Sequence, residues 1–429
     1  MNEQTKLKSE EEEKMKTMVK GLVLSAAVSS SVTAGAYKIP EQSINSMALG
    51  AAYVAHTSGA DTAYYNPANM AFMEDKQYIE GGLTLAHLPY NEYTLIAPVS
   101  GKSKEENIVI PNFHYVSNAI GNFRWGVSLT APGGLTKRWD TPVQKAYAQE
   151  FTLKVLELSP SFSYKVADNF SIGGGVRLIY SEGVVRSDAS ALYAMGLSPA
   201  PFARDMDGDT FEFGYNLACS YRPVEDIVLA ATYRSKVDLD EDGTAILSGI
   251  GPTYRGDADV SVPLPAALNL SISKTWDKTF TLEFNYERTY WSAYETLDFN
   301  YGSSVGFYAP VFDRPIEKNW KDTDTFRIGA TMILNQVTLM MGFALDETPV
   351  PVDHVGFELP DSDAKVFTMG LRYQQTENLS WGIAFLYDDK ESFSLRPGEH
   401  ADNGSILYKG GSFSEGGAYL TTIGLAYEF

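Results

Sequence analysis

From residue 77 to the C-terminus, apolar and polar side chains alternate in fourteen separate runs. They fall at about 77–87, 108–118, 122–131, 151–165, 170–185, 209–222, 226–237, 259–275, 278–292, 322–334, 336–346, 363–375, 378–388 and 418–429. A strand points successive side chains to opposite faces, so period two makes each run a strand with one greasy and one polar or small face. The ninth run is the cleanest, with Phe280, Leu282, Phe284 and Tyr286 against Thr281, Glu283, Asn285 and Glu287. In the thirteenth, Leu379, Trp381, Ile383, Phe385 and Tyr387 oppose Ser380, Gly382 and Ala384. Two environments would cover the apolar faces: the second sheet of a soluble sandwich, or lipid.

The connections decide between them. Short turns at Asn118–Asn122, Ala167–Asn169, Pro223–Asp226, Trp276–Asp277, Asn335–Gln336 and Thr376–Asn378 alternate with long loops near 88–107, 132–150, 186–208, 238–258, 293–321, 347–362 and 389–417. An even strand count, with short turns at one end and long loops at the other, is the layout of a bacterial outer-membrane barrel. The expected fold is therefore all-β, a 14-stranded antiparallel transmembrane barrel over 77–429 with seven long extracellular loops. Its last strand carries Tyr419, Ile423, Leu425 and Tyr427 on one face and stops at Phe429, which resembles the C-terminal signal read by the barrel-assembly machinery. At the other end, Met15 begins a basic stretch, Gly21–Val28 is a short apolar core, and Ala34-Gly35-Ala36 is a small-residue cleavage site, together a secretory signal peptide. Residues 1–36 are expected to be that peptide plus an extension before a start at Met15.

Composition narrows the function. Aromatic residues make up 13% of the chain, and Cys219 is its one cysteine, which excludes an internal disulfide. A formal charge of −20 excludes nucleic acid as a backbone partner. This acidity is expected in the lumen and outer loops, where divalent ions of a lipopolysaccharide surface bridge it. No zinc-type His/Cys cluster is present, and no catalytic residue, metal or cofactor is expected. Asp238-x-Asp240-x-Asp242-Gly243 opens like an EF-hand loop, but its twelfth position is Gly249 rather than a glutamate. Gly173-Gly174-Gly175 lies within a strand and lacks the spacing of a dinucleotide loop.

A lumen enclosed by fourteen strands leaks unless something fills it. Residues 37–76 precede the first strand and carry small and apolar residues at helical spacing from Ile39 to Tyr53, followed by Asn66-Pro67-Ala68. They are expected to form a plug entering from the periplasmic side, the alternative being a cap outside the barrel.

Glu41-Gln42-Ser43 to Leu49-Gly50, Asn66-Pro67-Ala68, Leu264-Pro265, Trp291-Ser292, Asp346-Glu-Thr-Pro-Val-Pro351 and Leu359-Pro360-Asp361-Ser-Asp363 occur in this order. As a set they resemble the FadL/TodX family of outer-membrane transporters of hydrophobic compounds. The resemblance implies a monomeric barrel closed by a hatch that carries the Asn66, Pro67 and Ala68 motif. It also implies passage of long-chain fatty acids or small hydrocarbons, with lateral release through a kinked third strand. Gly126 is the candidate kink in that strand, or else simply packs into the lumen. The third and fourth long loops would form an outer capture groove from Leu192, Tyr193, Met195, Leu197, Phe202, Ile246, Leu247, Ile250 and Tyr254, unless the loops merely pack on each other. Arg177, Arg327 and Arg372 point inward and offer paired donors to a carboxylate, or else they pair with lumen glutamates such as Glu283 and Glu287. The expected function is passive transport of long-chain fatty acids. A hydrocarbon channel and a non-transporting receptor or adhesin are the alternatives.

Overall fold

The structure, a computed structural model, describes residues 35–97 and 99–429. The expected signal peptide and the expected extension before it therefore lie outside the described residues, apart from Gly35 and Ala36.

The fourteen strands are β1 (Tyr78–Leu88), β2 (Glu106–Val116), β3 (Phe123–Arg138), β4 (Glu150–Ala167), β5 (Phe170–Asp188), β6 (Ala203–Val224), β7 (Ile227–Arg234 with Val237–Ser248), β8 (Tyr254–Leu264 with Ala267–Trp276), β9 (Phe280–Thr289), β10 (Thr323–Leu334), β11 (Val337–Asp346), β12 (Ala364–Gln374), β13 (Leu379–Lys390) and β14 (Ala418–Glu428). Each pairs antiparallel with the next, and β14 returns to β1 with Tyr78 opposite Glu428. Backbone bonds between Gln77 and Phe429 finish that seam. Closure leaves the first and last strands without a free edge, which hydrocarbon would not tolerate. The alternation reads out as expected: in β14, Tyr419, Ile423, Leu425 and Tyr427 are 41, 55, 59 and 44% exposed, whereas Leu420 and Thr422 are buried. Such an outward band is stable only against lipid.

Beyond the expected runs, several strands extend upward past the lipid zone, β3 to Arg138 and β6 from Ala203. β7 breaks at Ser235–Lys236 and β8 at Pro265–Ala266, where proline has no N–H for the ladder. Asp238, Asp240 and Asp242 occupy alternate positions of an extended strand, so they cannot wrap one ion. Asp242 instead stands opposite Asp209 of β6 and Asp259 of β8, in an acidic row on the long-loop end of these strands. Asn91–Thr94, Gly101–Lys102, Phe393–Leu395 and Gly411–Glu415, from the first and last long loops, form a small second sheet that the alternation did not reveal.

The segment before β1 lies within the ring of strands. Helix α1 (Ile44–Ala48) packs against β11–β14, while α2 (Thr62–Tyr65) and the 3-10 turn Pro67–Phe72 pack against the opposite wall, chiefly β3–β5. Ser43 caps α1 by accepting from the Ser46 N–H. Close seating is possible because the wall presents glycines. A Cβ at Gly342 or Gly370 would run into Leu49 or Ala48, and one at Gly173 would lie 2.5 Å from the Ala68 nitrogen. Gly173, the first of the glycine triplet of β5, is thus part of the seat for Pro67 and Ala68.

Candidate functional site

Three anchors fix the lumen segment. Asn66 is fully buried; its Oδ1 accepts from the Ala68 N–H at 3.1 Å and its Nδ2 donates to the Val54 carbonyl at 2.8 Å. The turn that follows is pinned to the wall where Ser171 Oγ donates to the Ala68 carbonyl (2.8 Å) and Ser220 Oγ to Asn69 Oδ1 (2.6 Å). On β9, the Glu283 carboxylate accepts the backbone N–H groups of Val54, Ala55 and His56 at 2.6, 2.8 and 2.7 Å. On β12, Arg372 bonds Asn45 Oδ1 and pairs with Glu80 at 2.8 Å. Beside them, Asp61 accepts from Tyr53 Oη at 3.1 Å. Burial, reinforced by the Glu80 charge, pushes the Asp61 carboxyl up to about 8. Burial likewise lifts Glu41 to about 7.

The wall itself is weakest between β2 and β3. Among the described residues these strands share four facing pairs, from Phe113–Leu129 to Val116–Gly126. Outward from there β3 departs, and its register with β4 shifts between Thr130 and Gly133. The kink therefore falls at Ala131–Pro132 and not at Gly126, which pairs regularly with Val116 and Ser161. Gly126 is small for a different reason: a Cβ there would lie 2.7 Å from the Ala63 Cβ. Where β2 no longer reaches β3, the lumen segment takes its place. Ile39 N–H donates to the Pro132 carbonyl, Gly134 N–H to the Tyr37 carbonyl, both at 2.8 Å. The Gln42 side-chain amide donates to the Ala131 carbonyl at 2.9 Å and accepts its N–H at 2.8 Å.

Two cavities lie on either side of Tyr37. The outer one is bounded by Tyr37, Leu135, Leu153, Val262, Tyr294 and Trp320. Tyr37 there packs edge-on to Trp291 at 4.8 Å between ring centres. The inner one runs from Ile39, Pro40 and Pro132 to Arg177, Asn216 and Arg234. The bulged β3 thus borders the inner cavity.

The long loops cover this column. Ala36 N–H and the Thr348 hydroxyl both donate to Asp361 Oδ2, which ties the sixth long loop to the start of the lumen segment. The nine expected groove residues divide. Leu192 and Leu247 are buried, Leu247 in a cluster with Val305, Tyr308 and Phe312 of the fifth loop. Phe202 and Tyr254 pack half-buried against that cluster, and Ile246 is half-buried. Tyr193, Met195, Leu197 and Ile250 are 52, 41, 58 and 51% exposed. Phe307 of the fifth loop, 72% exposed, joins Ile250 through its neighbour Gly251, whose Cβ would lie 3.3 Å from the Phe307 ring. This loop was missed because its apolar residues show no period. The arginines are committed to the wall: Arg177 to Glu157 at 2.9 Å, Arg327 to Glu287 at 3.1 Å and Arg372 to Glu80.

Residues 25–429 match the family described as outer membrane protein transport protein (OMPP1/FadL/TodX). The chain belongs to the FadL/TodX family. Among curated proteins it is 24% identical to a long-chain fatty acid transport protein of Escherichia coli, over 94% of this chain and 96% of that one. It is also 24% identical to outer membrane protein P1 of Haemophilus influenzae, over 82% and 86%. Among solved structures, a Pseudomonas aeruginosa FadL homologue superposes with a TM-score of 0.78 at 18% identity, covering 92% of this chain and 99% of that one. The Pseudomonas putida toluene transporter TodX gives 0.69 at 17%, covering 90% and 98%. This FadL/TodX-family barrel resides in the outer membrane and transports hydrophobic compounds.

Proposed function

We propose that the protein carries long-chain fatty acids passively from the cell exterior and releases them sideways into the outer membrane. The observation that carries this reading is the β2–β3 seam, with its four pairs and a bulge that borders the inner cavity. A solute that leaves there enters lipid directly, which an apolar chain favours over the aqueous periplasm. Capture begins on the exposed loop residues Tyr193, Met195, Leu197 and Ile250; methionine adapts its shape to varied chains. The ligand passes from the outer to the inner cavity as the strap Tyr37–Gln42 shifts, and the rest of the lumen segment, with its Asn66-Pro67-Ala68 turn, stays seated as the plug. The protein acts as a monomer delivered to the membrane through its Phe429 strand, and its outer acidic row meets the divalent ions of lipopolysaccharide.

The test is uptake of labelled oleate and toluene by proteoliposomes, with a second protein lacking Pro132. That deletion removes the extra residue of the bulge and lets β3 run in register. Oleate uptake by the parent and its loss in the deletion variant is the expected result. Equal oleate uptake by both removes lateral exit, and toluene uptake without oleate uptake makes the protein a hydrocarbon channel.

A further inference from the structure

Where β2 and β3 part, one residue of the lumen segment holds both. The last facing pairs of the seam are His114–Ser128 and Phe113–Leu129. His114 of β2 is fully buried. Its Nε2 lies 2.9 Å from the Gln42 carbonyl oxygen, and its Nδ1 lies 2.9 Å from Ser128 Oγ. A carbonyl only accepts, so Nε2 carries the proton and the bare Nδ1 accepts from the Ser128 hydroxyl. From the other side, Ala131 of β3 exchanges two hydrogen bonds with the Gln42 side-chain amide, two residues beyond the last pair. Gln42 is therefore tied to β2 through its backbone and to β3 through its side chain.

The parting of the two strands is bounded. Nearer the long loops, Arg138 of β3 donates to Glu106 of β2 at 2.7 Å. The N–H of Lys104, just before β2, donates to the Arg138 carbonyl at 2.8 Å. The strands thus meet again at their long-loop ends, and what lies between is a window. His114 and Ser128 stand at one margin of it, and the strap Tyr37–Gln42 crosses it. Among the described residues, His114 is the one side chain of β2 that hydrogen-bonds to the strap. With the Ala131 bonds alone, Gln42 would follow β3 and leave β2 free. The bond from His114 makes Gln42 span the window, so the two strands separate only when it breaks.

We infer that His114 is a positioning residue for lateral release, a staple that holds Gln42 to β2 and keeps the window shut until the strap leaves. The staple rests on the lateral-exit reading above and names the bond that controls it.

The test is oleate uptake by proteoliposomes at saturating oleate, for the parent, His114→Phe, His114→Gln, Gln42→Ala and the double variant of His114→Phe with Gln42→Ala. His114→Phe keeps a ring and loses both bonds, whereas His114→Gln keeps a donor for the Gln42 carbonyl. His114→Phe is expected to raise the saturated rate about two- to tenfold, the worth of one hydrogen bond, and His114→Gln to run at the parental rate. A residue that merely packs would lower the rate when replaced, and glutamine would not restore it. Gln42→Ala cuts the same staple from the β3 side, so the double variant is expected to match the faster single variant. A parental rate in His114→Phe, or a double variant whose gain is the product of the two single gains, overturns the staple. If His114→Phe does not assemble, Ser128→Ala carries the test. It removes the hydroxyl that orients the ring and is expected to give a smaller rise; a parental rate there overturns the staple. The protein lacking Pro132 separates the two readings. Oleate uptake that survives that deletion unchanged ends lateral exit and the staple together. Uptake lost in the deletion, with a parental rate in His114→Phe, ends the staple alone.

Discussion

The lumen segment meets the barrel in two contrasting ways. Along β10–β14 the strands pair without a break, and helix α1 rests directly on backbone exposed by Gly342 and Gly370. At the β2–β3 seam, strand pairing stops after four residues and the segment's own chain, Tyr37 to Gln42, supplies the missing hydrogen bonds. The first contact is steric, spread over many close-packed atoms, and permits one position. The second depends on a handful of bonds bordering a cavity. The segment is thus held by close packing at one margin and by a few hydrogen bonds at the other.

The strongest way to break the contrast is to fill the seat. Gly342→Leu drives a side chain into the Leu49 backbone, and overpacking of this kind costs about 1–3 kcal/mol or more. The barrel, closed by its own ladder, is expected to assemble and migrate as a heat-modifiable band. Its lumen is expected to leak, read as steady ion conductance in planar bilayers and sensitivity of cells to large antibiotics. A tight barrel with unchanged conductance would mean that the glycine wall does not fix the plug.

A smaller change opens the other margin. Gln42→Ala removes the two bonds to Ala131 and one to the Ile39 carbonyl, worth about 1–3 kcal/mol together. Amide exchange at Tyr37–Gln42 is expected to quicken, while that of α1 stays as it was and conductance remains low. Equal quickening in both places would show one cooperative unit instead of two margins.

Acidity sharpens the same comparison. Asp61, on the glycine side, has its carboxyl pushed up to about 8 by burial and by the Glu80 charge. An unfolded aspartic acid titrates near 4. The folded state therefore binds the proton more tightly, and the associated stability is present below pH 4 and is lost as pH rises through about 8. Exchange in α1, corrected for its intrinsic pH dependence, is expected to rise between pH 6 and pH 9. Asp61→Asn is expected to flatten that rise, and a rise that persists in the variant would place its origin elsewhere.

Much of this was legible in the sequence, and the part that was not has a common cause. Period two located all fourteen strands, because lipid on one side and water on the other impose opposite demands on alternate residues. The lumen segment was expected from the small and apolar residues at helical spacing between Ile39 and Tyr53, which is a local pattern. The kink was assigned to Gly126 and lies at Ala131–Pro132: glycine is the residue that permits a bend, but here the seam is set by where β2 stops. Arg177, Arg327 and Arg372 were candidate carboxylate partners, and each is paired with a wall glutamate, because the parity of a strand tells which residues face inward and not which are already paired. The inward glycines Gly342 and Gly370, recurring on neighbouring strands, were a readable sign of close packing. They gain meaning only once register sets them close together on adjacent strands, Gly342 opposite Thr368 and Gly370 opposite Met340.

The smallest expected effect lies farthest from both margins. Phe307 and Met195 are exposed on different outer loops, and neither belongs to the buried clusters that hold those loops together. Replacing both with serine removes apolar surface from the exterior at little cost to folding, since surface changes of this sort usually fall within about 0.5 kcal/mol. If these residues collect ligand, the variant is expected to take up oleate several times more slowly when oleate is scarce and at the parental rate when it saturates. Capture limits flux only while ligand is dilute. A deficit that persists at saturation would instead place these loops on the passage itself, because a step within the column limits the rate at every concentration.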